Sequence, residues 1–395
     1  MPRSTWVLAL LGLALRLTIV AATEDGGLDV RIYRAVGKVA VEGGDPYASE
    51  FIPGRGVYSD SPPFGVLVWA ALEFVSRSLL GYRLFFAFCD VANVVLLAGL
   101  IRERRALFHA QAFFALHPAI LGAFTAYTQD KTLILTFVLG AMVLLERQRA
   151  SRAGSIWQAP FTVLLVALLA AYKWIGLFMI YPAVRSLART GRGGFGLASL
   201  FTAIFVGSHA LWFPDCLQIY GRRLARATGD LPPHYHASLS KLLFGLYDPV
   251  LVPILSALGL LIVYVAFERG RLRGAAVVPW ALLAGVIWEP DNHFPRLLML
   301  ALPFAAVIDW SRPWRPAAVW TVTLLAAAGS ALNRATGEWL LSGAVGPNSP
   351  LVGVYGSLAH TVVAGGLQHV AFAHAPLALF IVYWVRDRRA ERAAA

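Results

Sequence analysis

The chain alternates long apolar runs with short polar breaks from one end to the other. A helix needs about 17–25 mostly apolar residues to cross a bilayer. Runs near that length start with Trp6–Ala22 and recur near Pro62–Leu80, Leu84–Ile101, Leu107–Ala126, Thr132–Leu145 and Gln158–Val184. More follow near Leu197–Phe213, Pro249–Phe267, Ala275–Trp288, Leu297–Ile308, Ala317–Leu332 and Val370–Val385. The pattern predicts an all-α polytopic transmembrane bundle of about 11–13 spans, with residues 1–395 forming a single membrane domain. Trp6–Ala22 has a weak basic flank (Arg3) and is interrupted by Arg16, so it reads as a retained first helix rather than a cleaved signal.

Two runs need a break. Gln158–Val184 carries Lys173 at its centre, and a charge at mid-bilayer costs at least about 2.5–3.5 kcal/mol. Two short helices meeting at an external turn around Lys173 are therefore expected. If Pro62–Leu80 and Leu84–Ile101 both crossed fully, Arg102–Arg105 would fall on the outside, unless one of the two is a partial or re-entrant crossing.

Composition agrees with the pattern. Of 395 residues, 58% are hydrophobic and 14% charged, against about 25% charged in a soluble domain. The net charge of +12 comes largely from short Arg clusters: Arg102–Arg105, Arg147–Arg152, Arg185–Arg192, Arg269–Arg273, Arg312–Arg315 and Arg386–Arg392. They lie between apolar runs, without the interleaved aromatics of a nucleic-acid surface, and so read as cytoplasmic loops. Both termini are then cytoplasmic. Cys89 and Cys216 imply no disulfide framework.

The acids and histidines fall on the other side, in external loops at 23–61, 214–248 and 333–367 and in turns near Asp130, Lys173 and Glu289–Arg296. Chemistry is expected on that face. In the first loop, Val30, Tyr33, Val36, Gly37, Val39 and Ala40 recur at helical spacing, with Arg31, Arg34 and Lys38 mostly opposite. This predicts a short amphipathic helix over Asp29–Val41 lying in the membrane interface. Asp29 stands at its start, either as an N-cap or as a base at the membrane surface. The second loop carries Arg222, Arg223, Arg226, Asp230, His234, His236 and Ser238. Arginines on an outer loop run against the charge rule and point to an anionic ligand, since guanidinium holds phosphate bidentately. A zinc site on His234 and His236 would lack a third ligand. Glu289, Asp291, His293 and Arg296 crowd one helix junction, and Asp130 heads a span, where it is either a helix cap or a functional acid. Within the spans, Asp90 and Asn93 are placed to pair with Arg16, while His109, His117 and His209 read as core or interface histidines.

In this order the segments resemble the glycosyltransferase C superfamily, most closely the mannosyltransferases of the glycosylphosphatidylinositol pathway and the related polyprenyl-phosphate-mannose transferases of bacteria and archaea. LDVRIY, VEGGDPY and VYSDSPPFGVLVWAAL resemble the acidic motif, glycine-containing turn and Pro-headed span that follow the first helix in that family. LHPAILGAFTAYTQDKTLILTFVLGAMVLL, IYGRRLARATGDLPPHYHASLSKLLFGLY and DNHFPRLLMLALPF resemble its downstream elements, so the likeness runs from about residue 6 to residue 305. The chain departs from the pattern in two places. Gly27 stands where the first acid of Asp-x-Asp is expected, and His117 replaces the Asn of Asn-Pro.

The resemblance implies an inverting transfer of a hexose, mannose above all, from a dolichyl- or polyprenyl-phosphate donor to a glycan or glycolipid acceptor. Asp29 would be the catalytic base, and Arg223, Arg226, Lys173 and Arg296 would hold the donor phosphate. Asp60, Asp130, Asp230, His234, His236, Ser238, Asp291 and His293 would contact sugar or acceptor. Mn2+ or Mg2+, on Asp29 and Asp60, is the one cofactor left open. A lipid-linked-sugar flippase and an inactive lipid-binding partner subunit are the rival readings. Arginine outnumbering lysine, with no extra domains, suits a prokaryotic cell membrane.

Overall fold

A computed structural model describes residues 1–23, 27–48, 59, 61–150, 158–187, 239, 251–289, 293–341 and 365–394. Among the described residues there are fourteen α-helices and no strands. They are α1 (Arg3–Ala22), α2 (Leu28–Val41), α3 (Pro63–Ser76), α4 (Leu79–Leu96), α5 (Arg104–Leu116), α6 (Pro118–Ile120), α7 (Lys131–Ala150), α8 (Gln158–Tyr172) and α9 (Ile180–Leu187). After these come α10 (Leu251–Glu268), α11 (Val277–Val286), α12 (Phe294–Ala305), α13 (Arg315–Leu341) and α14 (Gly365–Ala394).

Among the described residues three helices are long and apolar enough to cross a membrane: α1, α4 with its short extension to Gly99, and α10. A fourth span forms if α5 and the segment Pro118–Ala126, bent by 41° from it, count as one. The chain is thus a multi-pass membrane protein. Trp6, Val7, Leu10 and Leu11 on α1, and Leu258, Leu261 and Ile262 on α10, are exposed, as lipid-facing side chains are. The other apolar helices α3, α8 and α12, and Gly274–Val286 around α11, have 10–17 residues.

The helix break at His117–Pro118 accounts for the buried Arg16. Pro118 has no N–H for the carbonyl of Phe114, and the N–H of Ala119 donates instead to His117 Nδ1 (3.1 Å). The carbonyls of Phe114 and Ala115 therefore lack their helical donors, and a buried carbonyl needs one. Arg16 supplies both, through Nη2 (3.0 Å) and Nη1 (2.8 Å). Its Nε donates to Asp90 Oδ2 at 2.9 Å, and Thr125 Oγ1 donates to the same oxygen at 3.3 Å. The expected Arg16–Asp90 pair is present. Asn93 turns elsewhere, donating to the carbonyl of Thr132. His117 is a core residue, with Nε2 3.0 Å from the carbonyl of Trp320.

Two further breaks follow the sequence reading. The Gln158–Val184 run divides at Lys173, which is extended (φ −150°, ψ 123°) between α8 and a 3-10 turn over Trp174–Met179. The hairpin difficulty is resolved by α3, which at 14 residues spans about 21 Å, short of a bilayer core. Arg83 at the start of α4 donates to the carbonyls of Val20 and Thr23 at the end of α1. The chain thus leaves α1 and enters α4 at the same end.

The described members of the six Arg clusters then fall at one end of the bundle. Arg102, Arg149, Arg273 and Arg388 line a single cleft together with Glu103, Glu146, Asp309 and Glu391. Arg315 pairs with Asp387 (2.6 Å), next to Arg388, and Arg185 pairs with Glu268 (2.8 Å), next to Arg269. The described parts of the acid-bearing segments lie at the opposite end.

The amphipathic helix forms where expected, one residue longer at its start. Its apolar face is not left for lipid. Val30, Tyr33 and Val36 are buried, and Tyr33 stacks on Trp69 of α3 at 4.4 Å between ring centres. Gly37 makes this approach possible, because a Cβ there would stand 2.4 Å from the carbonyl oxygen of Trp69 and 2.6 Å from the hydroxyl of Tyr82. Arg34 pins the same face through Glu73 (3.3 Å) and the carbonyl of Arg77 (2.8 Å). The apolar face of α2 is thus docked on protein, because its aromatic stripe finds a matching one on α3.

Candidate functional site

At the end opposite the Arg clusters, four charged side chains from three distant parts of the chain form one group. Its centre is Asp130, at the head of α7, with 1% of its side chain exposed. Lys131 Nζ lies 3.2 Å from Asp130 Oδ1 and Lys173 Nζ lies 3.4 Å from Oδ2. Lys131 Nζ also lies 3.8 Å from Asp29 Oδ2.

Local structure explains how these residues meet. After the His117–Pro118 break the chain winds as a π-helix over Leu121–Ala126, with Tyr127 N–H bonded to the carbonyl of Gly122 (3.2 Å). Such wide turns recur at functional sites. Thr128 then takes a positive φ of 40°, which turns the chain into α7 with Asp130 at its first turn. Thr128 is held by Arg83, whose Nε donates to its hydroxyl at 3.3 Å while the guanidinium also grips the end of α1. Asp29 arrives with α2. The preceding Gly27 (φ 91°) passes the Tyr127 carbonyl so closely that a Cβ would stand 3.0 Å from its oxygen. Lys173 arrives with the end of α8, which α3 approaches at Gly65, where a Cβ would stand 3.2 Å from the Tyr172 carbonyl oxygen.

Capping was one of two readings open for both Asp29 and Asp130. The N-cap of α2 is Gly27, and Asp29 lies in the first turn. Its carboxylate turns to Lys131. Asp130 starts the hydrogen bonding of α7 with its backbone carbonyl, which accepts from Ile134 N–H, while its carboxylate is engaged by the two lysines. Burial by itself would raise the Asp130 carboxyl, but Lys131 and Lys173 outweigh it and hold the group well below the usual carboxylate range. Lys173 was expected to keep its ammonium in water at an external turn. With 19% of its side chain exposed, it lies against a buried carboxylate instead.

Asp29, Asp130 and Lys173, named from the sequence, are thus brought together. Arg296 is not part of this group: it pairs with Glu289, both largely buried, at the α11–α12 junction. His293 stands half-buried just before α12. Asp60, Arg223, Arg226, Asp230, His234, His236, Ser238 and Asp291 lie outside the described residues. Sequence reasoning gave no role to Lys131, although it adjoins Asp130, nor to Arg83, which sits at the lip of an apolar run. The signal for both was a basic residue on the side that the charge rule leaves poor in arginine and lysine.

The fit of a divalent metal can be judged from the donor set. Among the described residues no three His, Cys, Asp or Glu side chains gather as ligands. Asp29 faces an ammonium that a cation would have to displace. The described residues do not fit a metal. Comparison with protein-family models and with curated proteins gave no match for this chain.

Proposed function

We propose that the protein is a membrane glycosyltransferase that takes a hexose, mannose first among them, from a polyprenyl- or dolichyl-phosphate carrier. Its acceptor is a glycan or glycolipid at the external face. The observation that carries this reading is the gathering of Asp29, Lys131 and Lys173 around buried Asp130, at the end away from the Arg clusters. By the charge rule the Arg-cluster end is cytoplasmic, so the group faces outward and lies within reach of a lipid-anchored phosphate. The order of motifs resembling the glycosyltransferase C superfamily supports the same reading, and helices long and apolar enough to span a membrane suit an enzyme with a lipid-linked donor.

In this mechanism the acceptor hydroxyl attacks the anomeric carbon, and the carbon–oxygen bond to the carrier phosphate breaks. The bonding pair leaves with the polyprenyl phosphate, and Asp29 takes the acceptor proton. Lys131 and Lys173 stabilise the charge gathering on the departing phosphate. Arg223 and Arg226 are further phosphate ligands in this reading. Asp60, Asp230, His234, His236, Ser238, Asp291 and His293 would orient sugar or acceptor. A flippase for the same lipid would use polar groups along its spans. The mid-bundle pair Arg16–Asp90 is instead committed to helix carbonyls.

The test is transfer of labelled mannose from polyprenyl-phosphate-mannose to a panel of glycan and lipid acceptors, with and without Mn2+ and EDTA. Transfer abolished in Asp29→Asn supports the enzyme. Saturable donor binding without transfer to any acceptor would point to a transporter or an inactive partner.

A further inference from the structure

The cleft at the Arg-cluster end plays no part in the proposed transfer. Its volume of about 390 Å³ lies within the range of small-ligand sites, about 300–1,000 Å³. Leu100, Ile101, Val307 and Ile308 make part of the lining apolar, and four arginines and four carboxylates make the rest charged. The formal charges cancel, but the bonding capacity does not.

The carboxylates are already engaged. Glu103 accepts from the N–H groups of Arg105 (2.8 Å) and Ala106 at the head of α5. Glu146 is bound by Arg149 (2.9 Å) and accepts from Ala275 N–H (3.3 Å). Asp309 accepts from Ser311 N–H at 2.8 Å, and Glu391 pairs with Arg388 at 2.7 Å. Two arginines are left over. Among the described residues Arg102 makes no hydrogen bond or ion pair, and Arg273 uses only its Nε, on the carbonyl of Gly270 (2.8 Å). Both side chains are exposed. Arg102 follows α4 and Arg273 precedes α11, and the fold brings both to one cavity. The unused donors there are guanidinium N–H groups, whose planar fork matches phosphate oxygens.

We propose that this cleft is a site for the headgroup phosphate of an anionic phospholipid in the cytoplasmic leaflet, held by Arg102 and Arg273. The charge rule puts this end in the cytoplasm, and basic pockets between membrane helices on that side take anionic headgroups. The apolar lining suits the glycerol and upper acyl chain, which a soluble phosphate lacks. A lipid seated there joins the turn after α4 to the turn before α11, and stabilises the folded bundle by mass action.

The experiment titrates the full-length protein in detergent with phosphatidylglycerol or phosphatidylcholine. Native mass spectrometry reads the lipid retained, and the melting temperature reads its effect on stability. Glycerol phosphate and inorganic phosphate serve as separate competitors. No readout depends on sugar transfer.

The parent should prefer phosphatidylglycerol and melt higher with it. Arg102→Gln with Arg273→Gln should lower its retention at least about tenfold, the scale of one hydrogen bond to a charged group, with the lipid-free melting temperature unchanged. Arg102→Lys with Arg273→Lys keeps the charge without the paired donors and should fall between the two. That pair also carries the test should the glutamine pair fail to fold, and retention equal to the parent's would overturn the paired hold on phosphate. Arg104→Gln with Arg271→Gln removes exposed charge from the same clusters, at residues that do not line the cleft, and should leave retention as it was. An equal loss from this pair would mean that diffuse charge attracts the lipid, and would overturn the site. Phosphatidylcholine retained as well as phosphatidylglycerol would overturn selection of an anionic headgroup. Glycerol phosphate or inorganic phosphate competing as well as the lipid would assign the cleft to free phosphate and overturn the lipid part of the proposal.

Discussion

Two of the ionic groups in this bundle are built to opposite specifications. Arg16 and Asp90 lie in the interior, both nearly inaccessible, and Arg16 makes four hydrogen bonds of 2.8–3.1 Å, three of them to backbone carbonyls. The Asp130 group lies at one end of the bundle. Its contacts lengthen from 3.2 Å to 3.8 Å toward the open side, and it ends on a half-exposed carboxylate. The first group repairs a helix break and has little left to offer a ligand. The second gathers two ammonium groups at one buried carboxylate, beside a part-exposed one. Buried charge alone does not mark a working site; the proposed one lies where part of the charge reaches the surface.

The largest effect that could break this contrast is on folding. Asp90→Ala leaves the Arg16 guanidinium buried without its counter-ion, so a loss of about 3–5 kcal/mol is expected, measured by thermal or denaturant unfolding in detergent. Replacing both partners with Arg16→Met and Asp90→Leu should cost less than the two single changes combined. It should still cost about 1–3 kcal/mol, because the carbonyls of Phe114 and Ala115 lose their donors. A double variant as stable as the parent would remove the helix-repair role of Arg16.

Asp130→Asn should act mainly on turnover. It leaves Lys131 and Lys173 without the carboxylate that sets them side by side, and a loss of at least about tenfold in kcat/KM is expected, of the order positioned charges contribute. The pH dependence of stability gives an independent view. The folded Asp130 carboxyl is held below its unfolded value of about 3.9, so its contribution is fully present above that value. It is lost as pH falls through the lower folded value. The stability gap between parent and Asp130→Asn should therefore be flat from pH 5 to pH 8 and close below about pH 4. A gap that closed between pH 6 and pH 8 would contradict the pairing.

Smaller effects concern the helix that carries Asp29. Gly37→Ala drives a methyl group into the Trp69 carbonyl and the Tyr82 hydroxyl, and about 1–3 kcal/mol of strain is expected. It should appear as faster amide exchange along α2 and lower activity. Arg34→Ala removes a part-exposed pair with Glu73 and should cost no more than about 1 kcal/mol. Equal losses from the two changes would mean that charge, rather than the fit of Tyr33 against Trp69, holds α2 in place.

Much of this was legible in the sequence, for identifiable reasons. Apolar periodicity located α2 to within one residue, because Val30, Tyr33 and Val36 bury one face whatever they bury it against. The cost of a charge in an apolar run located the break at Lys173 and the Arg16–Asp90 pair. Arg clustering separated the two ends of the bundle. Partners were harder to read, because period reports a face and not what meets it. Nothing local in LDVRIY says that its helix docks on α3. Nor does YTQDK disclose that Lys131 reaches back a hundred residues to Asp29, or LHPA that the carbonyls freed by Pro118 are met by an arginine from the first helix. Those contacts are set by tertiary approach, which a one-dimensional pattern does not encode.

The central claim, that the loosely held group is the working site and Asp29 its base, is tested most directly by one assay. Mannose transfer from polyprenyl-phosphate-mannose would be measured with equal amounts of folded parent and Asp29→Asn protein. The account predicts a fall in turnover of about 10²–10⁴-fold, the usual contribution of a general base, with the melting temperature unchanged. Turnover retained in full by Asp29→Asn would contradict it.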